Sequence, residues 1–207
     1  MVVLVIWAVG ALGASPSLEA RAVDEGASEA HAGDPESTAR EYLDAVEAMD
    51  WVRVVVFAHP EALASFRRYV DAVVLPDDGE GALQAVTGVE SEAEYGELDD
   101  AAVMIRAFQA MERDAPGIVN AFVDRTTRVL GVVEEAERSM DEGSDPFTFN
   151  HVVYRRQWGL DGARSEIRVL TLAQDDQEEW RVLEADELDT LRPGLRATLV
   201  RVRGEVE

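Results

Sequence analysis

Residues 46–70 read VEAMDWVRVVVFAHPEALASFRRYV, and the fold turns on whether the middle of that stretch is strand or helix. Its β-branched residues, Val52 and Val54 to Val56, suit a strand. A half-buried strand should alternate, yet Val54, Val55, Val56 and Phe57 run on without a polar residue. Read as a helix, Trp51, Val54, Val55 and Ala58 fall at i, i+3, i+4 and i+7, and Asp50 stands where an N-cap belongs. Helix is the better reading. Pro60 then occupies a first helical position, and Leu63, Phe66, Val70 and Val73 form a stripe with Arg67, Arg68 and Asp71 outside it. His59, one of three histidines, is thereby set at the corner between two short helices, where such a residue more often caps or packs than reacts.

Working outward toward the N-terminus, DPESTAREYLDAVEAMD (34–50) carries a cap at Asp34, Pro35 behind it, and Ala39, Tyr42, Leu43, Val46 and Met49 at helical spacing. Before it, residues 23–33 hold almost no large apolar side chains and read as a flexible linker, with His31 solvated there. Residues 1–22 read as a secretory leader: an apolar run from Val2 to Leu12, too short for a membrane span, then Gly13, Ala14 and Ser15 as a cleavage zone. No Lys or Arg precedes that run, which is atypical of such leaders. The expectation is an exported protein, periplasmic or extracellular, with no membrane span in its mature form.

Toward the C-terminus, residues 76–98 are acidic and contain glycine, and read as a solvated connection; neither they nor DEGSDPFTFN (141–150) have calcium-loop spacing, so no metal is expected. A helix is predicted from Asp99 with Ala102, Ile105, Phe108 or Gln109, and Met111 or Glu112 as its stripe, then a short one over 116–123. After that the period changes to two. TTRVLGVVEE, FNHVVYRRQWG, SEIRVLTLAQ and EEWRVLEADEL are strand-like runs separated by DEGSDP, LDGA and DDQE. Helices first and a meander afterwards predict an α+β domain over 34–190, its N-terminal helices packed on one face of a curved antiparallel sheet of about four strands, with 191–207 a tail or an extra strand.

All nineteen Lys-plus-Arg residues are Arg, and they face forty-two carboxylates, for a net charge of -23. A field of that sign repels phosphate backbones and anionic lipid heads, so nucleic-acid partners are not expected. With no cysteine, disulfides, thiol catalysis and thiolate metal sites are excluded. There is no Gly-rich phosphate loop, no G-x-S-x-G and no H-E-x-x-H, and no cofactor is implied.

The order of parts, carried by AREYLDAVEAMDWVRVVVFAHPEALASFRR and the later HVVYRRQWG, EIRVLTLA and EEWRVLEADEL, resembles the nuclear-transport-factor-2-like superfamily, which includes polyketide cyclases and ketosteroid isomerase. That resemblance implies a cone-shaped fold whose sheet and helices enclose an apolar pocket. Its candidate lining residues are His151, Arg155, His59 and Tyr42, with Tyr154 a further possible donor. Parity puts His151, Val153 and Arg155 on one strand face and Val152, Tyr154 and Trp158 on the other. The expectation is that His151 and Arg155 face the helices and line the pocket; the competing assignment buries Val152, Tyr154 and Trp158 and leaves His151 wet. Three functions follow: non-catalytic binding of a small apolar ligand or a protein partner, which is preferred; a pocket enzyme of isomerase or cyclase type; and a structural module whose sheet is buried in a homodimer.

Overall fold

Asp34 starts the first helix by accepting hydrogen bonds from the backbone N–H groups of Glu36 and Ser37, at 3.0 and 3.1 Å. Those bonds favour its carboxylate and hold its pKa below the ordinary value, the Ser37 N–H most of all. The computed structural model describes residues 34–75, 80–114, 125–138, 147–158 and 164–185 together with Leu195, apart from the side chains at 80, 136–138 and 147. All of these belong to the second of two compact units, Ala32–Glu207; the leader and the linker up to His31 lie outside the described residues.

Helix α1 (Pro35–Glu47) buries Ala39, Tyr42, Leu43 and Val46, the stripe its spacing predicts. It ends where Met49 takes a φ of 54°, a left-handed residue that turns the chain and lets the Asp50 N–H reach the Ala45 carbonyl at 2.9 Å. Helix α2 (Trp51–Phe57) follows at once, with Asp50 accepting from the Arg53 N–H at 3.1 Å. The stretch VRVVVF is therefore helical, and Trp51, Val54 and Val55 point inward. The apolar continuity that spoils a strand suits a helix pressed between neighbours: the Trp51 ring lies 4.8 Å from that of Phe108.

His59 caps helix α3 (Pro60–Val74), its Nδ1 accepting from the Glu61 N–H at 3.2 Å. Its own N–H donates to the Val182 carbonyl at 2.8 Å, and Ala58 forms a parallel bridge to Val182, so this corner is stitched to the sheet. On α3, Phe66 and Val70 are buried as predicted, with Ala62 and Val74, while Leu63 and Val73 are half-buried.

The expectation of a solvated connection over 76–98 is corrected: α4 (Glu80–Thr87) and α5 (Glu92–Gly96) form there. Ala82, Leu83, Val86, Val89 and Tyr95 are buried, and acidity hid a short apolar stripe. Gly88, at φ 71°, ends α4 in the left-handed conformation that glycine adopts most freely. The Tyr95 hydroxyl donates to Asp71 at 2.6 Å, and Arg67 lies over the Tyr95 ring while bonding the Leu98 carbonyl and Asp100. Burial, with the Asp71 carboxylate beside it, pushes the Tyr95 phenol well above its ordinary pKa. Helix α6 (Asp100–Asp114) exists as predicted, but its buried face is Val103, Met104, Ala107, Phe108, Ala110 and Met111. The stripe is rotated by one position, leaving Ala102 and Ile105 half-buried and Gln109 exposed. The predicted helix over 116–123 lies outside the described residues.

The four strand-like runs are β1 (Arg125–Arg138), β2 (Phe147–Trp158), β3 (Arg164–Gln174) and β4 (Trp180–Ala185). They form one antiparallel meander in the order β1-β2-β3-β4, with Val152 opposite Leu170 and Leu172 opposite Val182. Leu130 is the extra residue of a bulge in β1, where Val129 faces Tyr154 and Gly131 faces Val153. At the β3–β4 turn Asp175 accepts from the N–H groups of Gln177 and Glu179 and from the Arg181 Nε, at 2.8, 3.0 and 3.0 Å. Burial pushes the Asp175 pKa up, but the Glu179 N–H and the Arg181 guanidinium outweigh it and hold the carboxyl below its usual value.

The chain is thus an α+β protein with its helices ahead of an antiparallel sheet, as the sequence predicts. One continuous core joins α1, α2, α3, α4 and α6 to Val152, Tyr154, Leu170, Leu172 and Val182. Leu195, fully buried, adds to it; the rest of the tail lies outside the described residues.

Candidate functional site

The strand residues that pack under the helices are the even positions of β2. Val152 and Tyr154 are wholly buried in the core, and Arg156 beside them is nearly so. The expectation that His151 and Arg155 face the helices is therefore corrected. Core volume decides the parity: burying Tyr154 with Val152 removes more apolar surface from water than burying Val153 between a His and an Arg. Trp158, which the competing assignment sends inward, is half-buried, with Arg125 over its ring.

The sequence-predicted site residues do not converge. Tyr42 lies in the core on α1. His59 is also buried, spending Nδ1 on its cap, and its Nε2 has no hydrogen-bond partner among the described residues. His151 and Arg155 share the opposite face of the sheet, four residues apart along an extended strand, a separation of about 13 Å.

On that outer face His151 stands in a row across three strands. Its Nε2 meets the Glu135 carboxylate at 2.7 Å and its Nδ1 the Thr171 hydroxyl at 3.2 Å. Both ring nitrogens of His151 are thus engaged, one by a carboxylate and one by a hydroxyl. The order of groups is that of a nucleophile, base and orienting carboxylate, but β3 is hydrogen-bonded on both sides, which commits its backbone donors to the ladders rather than to a developing oxyanion. The row is a polar clamp across the sheet.

Between that row and Arg155 the outer face is apolar. Gly131, Val153 and Val169 lie side by side, with Val133 next to His151 and Ile167 next to Arg155. Val133, Ile167 and Val169 are 57%, 55% and 43% exposed, high for large β-branched residues on the face of a sheet. Arg128 and Arg155 face each other across β1 and β2, and neither meets a carboxylate among the described residues. Two cations directly opposite oppose pairing, so their placement is not explained by strand stability.

On the helix side, a cleft of about 100 Å³ lies between α1 and β1, lined by Arg40, Leu43, Asp44, Thr127 and Val129. Sites for small organic ligands are ordinarily about 300 Å³ or more, and this one holds none of the predicted site residues. Among the described residues no three His, Asp or Glu side chains are arranged to hold a metal ion, and no helix is long and apolar enough to cross a membrane.

Fold and site together define an α+β protein that packs helices on one sheet face and, on the other, leaves Val133, Ile167 and Val169 exposed while Phe149, Thr171 and Ala173 are buried. No protein-family model matches the chain, and no curated protein or solved structure shows significant similarity to it.

Proposed function

We propose that this is a non-catalytic domain that binds a protein partner through the open face of its sheet. The observation that carries the reading is the exposure of Val133, Ile167 and Val169 around Val153, on a surface whose flanking charges can orient a partner. In the same reading the protein is exported, on the strength of the apolar run Val2–Leu12 and the small residues behind it. The helices-then-meander order supports a place in the nuclear-transport-factor-2-like superfamily, whose sheet here works from its outer side.

A photo-reactive amino acid placed at Val169 tests this in the native host. Protein-sized adducts from position 169, absent when the probe sits at exposed Glu61 on α3, are expected. Adducts confined to small molecules, or equal capture from both positions, would overturn the reading.

A further inference from the structure

We propose that the partner offers a carboxylate beside an apolar side chain, the carboxylate clasped between Arg128 and Arg155 and the apolar group entering a notch over Gly131. This rests on the sheet-face reading above and adds the chemistry of the partner: a segment of another protein that carries an Asp or Glu next to an apolar residue.

The outer face is open over only part of its length. At one end Phe149, Thr171 and Ala173 are buried, Glu135 is spent on His151, and Arg181, opposite Ala173, is bonded to Asp175 and Glu179. Toward the other end comes the row Gly131, Val153 and Val169, and after it the row Arg128, Arg155 and Ile167. Neither the backbone nor the packing requires a glycine at 131. Its φ is not in the left-handed region, and a Cβ added there would meet nothing within 4 Å beyond its chain neighbours. Regular pairing onward from Arg128 opposite Arg155 would set Leu130 opposite Val153; the bulge takes Leu130 out of that place and puts a glycine there. The face is therefore indented beside Val153, between Arg128 and Val133 along β1. A glycine within a strand weakens it, and it commonly marks a place where another group approaches closely.

The two arginines set the charge of the occupant. They stand directly opposite each other, where like charges oppose pairing, and neither is bonded to a carboxylate among the described residues of a chain rich in carboxylates. One carboxylate between them turns that repulsion into charge-assisted hydrogen bonds to both. Glu184 and Glu135, on the same face, lie two and three rows away, about 13 Å and about 20 Å along the strands, which is beyond the screening length of about 8 Å at physiological salt. A single carboxylate at the pair is thus attracted locally, whereas a polyanion such as a nucleic acid would carry its many charges into the field of a chain at -23. The exposed side chains of Ile167 and Val169 next to the pair, with the notch at Gly131, call for apolar atoms attached to that carboxylate, which a protein segment supplies and a free inorganic anion does not.

The photo-reactive amino acid at Val169, used in the native host in three backgrounds, tests this. In the otherwise wild-type chain the captured segment, identified by mass spectrometry, is expected to carry an Asp or Glu next to Leu, Ile, Val, Met or Phe. Arg128→Gln/Arg155→Gln and Gly131→Val are each expected to lower the yield about tenfold, with an unchanged circular dichroism spectrum and a urea midpoint no lower than wild type, since one relieves repulsion and the other fills open space. Arg128→Glu/Arg155→Glu is expected to abolish capture, and changing the captured acidic residue of the partner to Lys to restore it, which a merely structural role for the arginines would not give. A segment without a carboxylate, an adduct to nucleic acid, a midpoint lowered by Gly131→Val, or failure of the charge exchange would each overturn the proposal. If position 169 captures a protein with equal yield in all three backgrounds, or captures a second copy of this chain, the sheet-face reading survives and this one fails. If it captures no protein, both fail.

Discussion

Leu170 and Val169 are neighbours on β3 that point to opposite sides of the sheet, and truncating each to alanine measures what the two faces do. Leu170 is wholly buried, opposite Val152 and Ala185. Leu170→Ala removes three carbons, worth about 2.4 kcal/mol at about 0.8 kcal/mol per buried methylene. The cavity it leaves raises the cost to about 3–4 kcal/mol. Val169→Ala removes two carbons, worth about 1.6 kcal/mol if fully buried, but the side chain is 43% exposed, so about 1 kcal/mol is expected. Urea unfolding followed by tryptophan fluorescence gives both numbers, with the slope on denaturant unchanged in each variant. If Val169→Ala cost as much as Leu170→Ala, the outer face would be part of the core and the reasoning from exposure would be refuted.

Tyr95→Phe removes the hydrogen bond to Asp71 and is expected to cost about 1–2 kcal/mol. Because the folded-state pKa of Tyr95 is raised, its contribution is complete below about pH 10 and declines above it, so melts of wild type and variant should converge in strong alkali; a gap that widens with pH would contradict this. Asp175 has the opposite sign: its folded pKa is depressed, so its stabilisation is present above about pH 4 and is lost as pH falls below that. Asp175→Asn should therefore cost about 2 kcal/mol at neutral pH and little at pH 2.5 or so, measured by urea midpoints across that range, and a constant difference would sink the assignment. With a net charge of -23, added sodium chloride up to a few tenths molar should raise the thermal midpoint by screening repulsion, whereas a steady fall would mean that attractive pairs dominate.

The helical opening was legible because local chemistry decides it. Asp34, Asp50 and the Pro60 position each announce a helix start within two or three residues, and all three caps form as read. The strands were legible from the change of period, and their order follows from short turns between consecutive antiparallel runs. Two things were hidden. Helices α4 and α5 bury few residues among many acids, and Tyr95 is held by Asp71 and Arg67 from α3, partners that local pattern cannot supply. The facing of β2 was hidden because HVVYRR is apolar or basic on both parities, so alternation is degenerate and only packing against helices such as α1, more than 100 residues earlier, chooses Tyr154 over His151. The facing of Val133 and Val169 follows that of Val153, with which they share a parity, and is decided only when Val152 and Leu170 are seen to fill the core.

The central claim is that the outer sheet face is the working surface, and carbene footprinting of Val133, Ile167 and Val169 tests it most directly. In dilute purified protein these three should label strongly while Val152, Tyr154 and Leu170 stay unlabelled. In the native fraction, at native abundance, the account predicts that labelling of the three falls several-fold and that exposed Val52 on α2 is unaffected. Equal labelling of Ile167 and Val169 in both settings would contradict it.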